Sequence, residues 1–304
     1  MANVCGAMQG GEMDGYQDVW MRTGDGLRVH AQDYTNDQAA LTVLCLHGLT
    51  RNAADFEELA EHLADRHRVV VMEQRGRGDS DFDPRPANYH LGTYVQDATA
   101  LLDELELERV AVIGTSMGGL MAMSMAAARP ERFAGLVIND IGPVVEASGL
   151  ARIRGYVGKG GPVRTWDDAV AATRANNEAA YPTLTDDEWL AFARRLFRSR
   201  PDGTLEPAYD PAIAEPMSTD DAAAVPADLW GLFDSLVAIP MLVVRGELSD
   251  ILSRQTVAEM GRRHPDLAAV EVPDRGHAPM LTEAPALAAI DGFLSRLAKA
   301  RSGA

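Results

Sequence analysis

The sequence has little cysteine, no long apolar run and no excess of basic charge. Cys5 and Cys45 are its two cysteines. Cys5 sits in an N-terminal stretch of Gly, Met, Asn and Gln, and Cys45 sits inside an apolar run. No structural disulfide is therefore expected, and a reduced, cytoplasmic setting is. No stretch of about eighteen apolar residues occurs, so no membrane span is expected. Residues 1–15 lack the basic start and apolar centre of a secretory signal, and residues 1–16 read as a loose tail. The formal net charge is −17. A phosphate backbone repels such a surface, which argues against nucleic acid as a partner. Paired-cysteine and His-x-x-x-His spacings are absent, so neither a metal site nor a cofactor is expected. The expected partner is a small-molecule substrate, met by a monomer or homodimer.

What is present is an alternation of buried strands and amphipathic helices. Strands are predicted at 18–22, 27–34, 41–46, 68–72, 109–113, 136–138, 241–245 and 268–272. Helices are predicted at 54–64, 93–106, 117–128, 254–263 and 285–298. This rhythm points to an α/β fold with a mostly parallel sheet flanked by helices. It breaks between 143 and 236. That stretch carries helical patterns at 166–179 and 186–199, many prolines and no strong strand signal. It reads as a helical cap, or lid, inserted after the sixth strand into a core formed by 17–142 and 237–304.

Four loops carry the chemistry. Gly114-Thr115-Ser116-Met117-Gly118-Gly119 follows a buried strand and opens a helix of small residues. A nucleophilic serine needs such a sharp strand-to-helix turn, with glycines relieving the crowding. The following helix aims its free N–H groups at a developing oxyanion. A glycine-rich helix start with an ordinary serine would carry the same letters, so the flanking strand and helix matter. A serine hydroxyl needs a base. Of seven histidines, His277 lies in the loop between the last strand and the last helix, where α/β folds place functional groups. The base needs a carboxylate to hold its tautomer. Asp250 is preferred on chain order and loop position. Glu247 in the same loop, and Asp140 at the end of the strand after the nucleophile helix, are the alternatives. Leu46-His47-Gly48-Leu49 follows another buried strand. The backbone N–H groups of Leu49 and Met117 are the expected oxyanion donors, with His47 bracing the loop.

These motifs together resemble the α/β-hydrolase fold superfamily: His47-Gly48, Arg75-Gly76-Arg77-Gly78-Asp79-Ser80, Gly114-x-Ser116-x-Gly118-Gly119, Arg245-Gly246 with Asp250, and Gly276-His277. The likeness spans about residues 18–142 and 237–300. It implies an eight-stranded sheet and a Ser-Asp-His triad. Two positions depart from the family pattern. Glu73 stands where an aspartate is common, and Asp250 falls four residues after Gly246, with Ser249 inserted. Dehalogenases and epoxide hydrolases of this fold carry an aspartate nucleophile, so Ser116 argues against both.

The expected activity is hydrolysis of a small carboxylic ester or lactone through an acyl-enzyme on Ser116. Hydrolytic carbon–carbon cleavage of a diketone-like ring-cleavage product shares the same triad and lid. A cofactor-free perhydrolase is a further alternative, and a non-catalytic small-molecule receptor on the same fold is the alternative of another class. Arg152, Arg154 and Lys159 cluster in an acidic chain and could receive a substrate carboxylate, or simply form a solvated basic face. Trp166, Trp189 and Trp230 could line an acyl pocket or pack the lid.

Overall fold

The computed structural model describes residues 15–216 and 228–302. The expected tail over residues 1–16 lies mostly outside the described residues, as do Cys5 and Pro226. The chain runs β1 (Gln17–Arg22), β2 (Arg28–Tyr34), β3 (Thr42–Leu46), α1 (Glu57–Ala64), β4 (Arg68–Met72), α2 (Leu91–Glu104), β5 (Val110–Thr115), α3 (Met117–Ala128) and β6 (Phe133–Asn139). Next come α4 (Ala147–Tyr156), α5 (Trp166–Asn177), α6 (Asp186–Leu196), β7 (Phe197–Ser199), β8 (Leu205–Pro207) and α7 (Trp230–Asp234). The chain closes with β9 (Met241–Gly246), α8 (Arg254–Arg263), β10 (Leu267–Val272) and α9 (Ala284–Ser302).

The expected eight-stranded, mostly parallel sheet is present, in the order β1-β2-β4-β3-β5-β6-β9-β10. β1 and β2 form the antiparallel edge, and β4 onward is parallel. The central strands β3, β4, β5 and β6 are apolar runs because helices cover both of their faces. One face packs Tyr94, Ala98 and Leu101 of α2, Leu120 and Met121 of α3, and Met260 of α8. The other packs Leu59 and Leu63 of α1 against Ile290, Phe293 and Leu297 of α9. Parallel strands bring their C-terminal ends to one edge, so the loops after β3, β5, β6, β9 and β10 converge there. No helix among the described residues is long and apolar enough to cross a membrane.

The segment between β6 and β9 differs from the reading of its sequence in three ways. First, the helix expected over 186–199 stops at Leu196, and Phe197–Ser199 pairs antiparallel with Leu205–Pro207. Asp202-Gly203 makes the hairpin turn, with Gly203 at φ 82°, and Asp-Gly is a strong hairpin signal. Second, α4 was not expected. Gly149 and Gly155 weaken its helical pattern, and tertiary contact holds it instead: a Cβ on Gly149 would meet Ile251 at 2.4 Å. Third, α7 places Phe233 in the main core, beside α3, rather than in the segment's own clusters. Those clusters are small: Tyr181, Trp189 and Phe192 in one, Ala169, Ala193 and Leu205 in the other. α5 and α6 both begin with capping boxes, Thr165 with Asp168 and Thr185 with Glu188.

Candidate active site

The turn between β5 and α3 sets Ser116 at φ 53° and ψ −114°, a conformation that non-glycine residues rarely adopt. Its neighbours explain why the motif needs glycine. A Cβ on Gly114 would lie 2.4 Å from the Gly118 carbonyl oxygen, and one on Gly118 would lie 2.0 Å from the Leu46 carbonyl oxygen. α3 therefore approaches β3 and β5 at backbone distance. The Ser116 N–H is held by the Asn139 carbonyl at 2.9 Å, which ties the turn to the end of β6.

His277 reaches this turn from the loop after β10. The Ser116 Oγ hydroxyl lies 2.8 Å from His277 Nε2. His277 Nδ1 lies 2.9 Å from Asp140 Oδ2. The carboxylate beside the imidazole is thus Asp140, and the preference for Asp250 is corrected. Asp250 turns the other way and forms a two-pronged pair with Arg152 of α4, at 2.6 and 2.8 Å. Glu247 accepts the Asp274 N–H instead of facing His277.

Position explains the exchange. Asp140 directly follows β6, the strand next to β5, and its side chain is fully buried. Three donors converge on it: the Gly246 N–H at 2.8 Å, the Ser249 hydroxyl at 2.6 Å and the His277 ring. Ser249, the residue inserted into the family spacing, therefore occupies the place facing the acid. Its oxygen also accepts the N–H groups of Ile251 and Leu252 at 3.2 and 3.0 Å. The insertion rotates Asp250 toward α4 and leaves a serine to hold the neighbouring strand's carboxylate. Chain order alone could not detect this.

The second loop is braced from below. His47 is buried, with Nδ1 2.7 Å from the Gly48 carbonyl and Nε2 accepting the Gln74 N–H at 3.2 Å. Burial pushes its pKa down to about 4. Neutral His47, with the proton on Nδ1, fits both contacts, in keeping with the bracing role expected of it. Arg77 of the Arg-Gly-Arg-Gly turn adds a brace the motif reading missed: its Nε donates to the Leu49 carbonyl at 2.8 Å. It is buried beneath the Tyr94 ring. Glu73 also finds its reason. One carboxylate reaches the Ala53 N–H, the Asp79 N–H and the His30 ring, at 3.1, 2.8 and 2.9 Å. Gly78 makes room for it, since a Cβ there would meet Glu73 Oε1 at 1.9 Å. Among the described residues, no hydrogen bond engages the N–H groups of Leu49 and Met117. Met117 opens α3, so its N–H has no acceptor within the helix.

A cavity of about 240 Å³ opens over Ser116 and His277. Gly48, Leu49 and Arg51 line it from the core, and Tyr156, Thr173 and Tyr181 from the segment between β6 and β9. The three tryptophans do not line it. Trp189 packs on Phe192 and Tyr181, Trp166 lies under Arg194, and Trp230 lies under Arg263 beside Phe233.

A sequence model of the alpha/beta hydrolase fold matches residues 42–284. The chain belongs to the α/β-hydrolase fold family. This hydrolase is 36% identical over 278 residues to a 3-hydroxybutyrate-oligomer hydrolase of Cupriavidus necator, a match covering 89% of this chain and 94% of that one. It is 30% identical over 237 residues to a 2-(acetamidomethylene)succinate hydrolase of Mesorhizobium japonicum, covering 77% and 81% of the two chains. Among solved structures, an α/β hydrolase from Novosphingobium aromaticivorans superposes with a TM-score of 0.89 at 46% identity, over 93% of this hydrolase and 99% of that chain.

Proposed function

We propose that this hydrolase cleaves a small carboxylic ester through an acyl-enzyme on Ser116, with a short hydroxyalkanoate ester as the substrate class. The observation that carries the reading is the hydrogen-bonded line from Ser116 Oγ through the His277 ring to Asp140, at 2.8 and 2.9 Å, on the floor of a cavity. Ser116 attacks the acyl carbonyl as His277 Nε2 takes its proton. Asp140 fixes the proton on Nδ1 and balances the imidazolium that forms. The tetrahedral oxygen is held by the N–H groups of Leu49 and Met117. His277 then protonates the departing alcohol, and activates a water that attacks the acyl carbon and frees Ser116.

The substrate class is supported by the Cupriavidus relative, whose match runs nearly the whole length of both chains. Turnover of a linear 3-hydroxybutyrate dimer, a p-nitrophenyl butyrate, a lactone and a diketone-type carbon–carbon substrate should be compared side by side. Esters turned over at least about a hundredfold faster than the diketone support the reading. That ratio is about 2.7 kcal/mol of differential transition-state binding. A diketone preferred to every ester would give the carbon–carbon reading instead. No turnover, together with no phosphonate labelling of Ser116, would favour a receptor.

A further inference from the structure

His277 sits in the link over residues 273–283, between β10 and α9. A base carried on a loop must still be placed closely, because a misplacement of about 1 Å costs about a hundredfold in rate. The hydrogen bonds to Ser116 and Asp140 restrain the ring. The peptide groups around it are restrained separately. From the core, the Leu248 N–H donates to the Arg275 carbonyl at 2.8 Å, and Asn139 Nδ2 donates to the Pro279 carbonyl at 2.8 Å. The two residues flanking His277 are held from elsewhere, by the turn between α5 and α6. The Gly276 N–H donates to the Ala180 carbonyl at 2.6 Å. The Tyr181 hydroxyl donates to the Ala278 carbonyl at 2.6 Å.

Both sides of this contact are shaped for it. A Cβ on Gly276 would lie 2.7 Å from Ala180 Cα and 2.8 Å from Ala180 Cβ. The glycine of the Gly276-His277 pair therefore lets the turn approach at backbone distance. Tyr181 is buried, and its ring stands edge-on to Trp189 and Phe192 of α6, with centroids 6.5 and 5.2 Å away. Its own N–H is spent on the Asn177 and Glu178 carbonyls. Packing thus fixes the ring and the hydroxyl at its end. Burial pushes the phenol's pKa up, so the group stays a neutral donor at neutral pH.

We propose that Tyr181 is a positioning residue for the catalytic base, acting with the Ala180 carbonyl to hold the peptide groups on either side of His277. This rests on His277 being the base of the ester-hydrolase reading, and it deepens that reading. The segment between β6 and β9 then does more than wall the cavity. It supplies two of the hydrogen bonds that keep the imidazole in line between Ser116 and Asp140. Tyr181 acts through His277 and does not itself meet the reacting atoms, so its loss falls on turnover and leaves substrate binding in place.

The test is Tyr181→Phe, which keeps the ring and removes only the hydroxyl. Hydrolysis of p-nitrophenyl butyrate is measured per active site, with sites counted by fluorophosphonate titration. A role in folding alone would lower the number of sites and leave kcat per site unchanged. The expected result is kcat per site about tenfold lower, with KM within about twofold of wild type. Gly276→Ala, which forces Ala180 away, should lower kcat per site about a hundredfold. Thr183→Val breaks an exposed hydrogen bond from Arg275 to the same turn and should leave kcat per site within about twofold. The proposal is overturned if Tyr181→Phe keeps kcat per site within about twofold of wild type, loses rate through KM alone, or loses no more than Thr183→Val. A second readout needs no turnover: the proton resonance of His277 Nδ1–H, identified by its absence from His277→Gln. A shifted or broadened resonance in Tyr181→Phe supports the positioning role even if no ester is hydrolysed, which would defeat the esterase reading alone. An unchanged resonance defeats the positioning role whatever the catalysis.

Discussion

Replacing Asp140 by Asn changes one oxygen for an amide nitrogen in a fully buried position. The consequence follows from the three donors around it. Gly246 N–H meets Oδ1, while the Ser249 hydroxyl and His277 Nδ1 meet Oδ2. An asparagine offers one acceptor and one donor face. The backbone N–H cannot turn away, so the amide oxygen stays on Gly246 and the NH₂ faces Ser249 and His277. The imidazole must then present a lone pair at Nδ1 and carry its proton at Nε2, facing Ser116. In that tautomer it cannot accept the serine proton. The loss should be about 10⁴ in kcat/KM, as for removal of the acid's charge in serine triads, which is about 5.5 kcal/mol of transition-state stabilisation. Asp250→Asn breaks the pair with Arg152, whose partners are about one-third exposed, and removes a charge felt by His277 without touching the hydrogen bond from Asp140. It should cost at most about 1 kcal/mol of stability and leave kcat/KM within about tenfold. The assay is p-nitrophenyl butyrate hydrolysis near neutral pH, with both variants checked for folding by circular dichroism. If Asp250→Asn falls as far as Asp140→Asn, or if Asp140→Asn stays within tenfold of wild type, the assignment of the acid is wrong.

Ser249→Ala removes a hydroxyl from Asp140. One of the three contacts that hold the carboxylate against His277 is lost, and kcat/KM should fall about tenfold, the worth of one hydrogen bond to a charged group. A rate within about twofold of wild type would show that Ser249 only closes its loop. Gly118→Ala drives a methyl group to 2.0 Å from the Leu46 carbonyl oxygen. Backbone on both sides must shift, at a cost of about 3 kcal/mol or more, and an unchanged urea midpoint would contradict that close approach. His30 bridges Glu73 and Asp18, both at 2.9 Å. Burial opposes the charged ring, yet Glu73 and then Asp18 and Asp79 raise its pKa above the ordinary 6.5. The stability it adds is fully present below 6.5 and is lost as pH rises through the raised folded value. His30→Gln should therefore flatten the fall of the urea midpoint as pH rises above 6.5. An identical slope would remove His30 from the account.

Most of the sheet was legible because its central strands are continuous apolar runs and its nucleophile turn needs glycines at fixed positions. Ser116 and His277 could be paired from the loops they occupy, and the structure brings them to 2.8 Å. The acid was not legible in the same way. A carboxylate from either of two adjacent strands, β6 or β9, ends at the same edge. Which one faces the imidazole depends on one inserted residue, Ser249, and on a partner for Asp250 on α4. That partner helix was itself missed, because tertiary contacts with Ile251 and Asp250 compensate for its glycines. The first strand of the short hairpin, β7, was hidden at the end of the helical stripe over 186–199, just before the Asp202-Gly203 turn. Arg77 acts through a brace on the Leu49 carbonyl, which leaves no pattern in sequence spacing.

The most direct test of the central claim is the mass of the protein after reaction with a fluorophosphonate, followed by peptide mapping. A single adduct on Ser116, absent from Ser116→Ala and accompanied by parallel loss of ester hydrolysis, is the predicted result. Labelling at another residue, or near-normal ester turnover by Ser116→Ala, would contradict it.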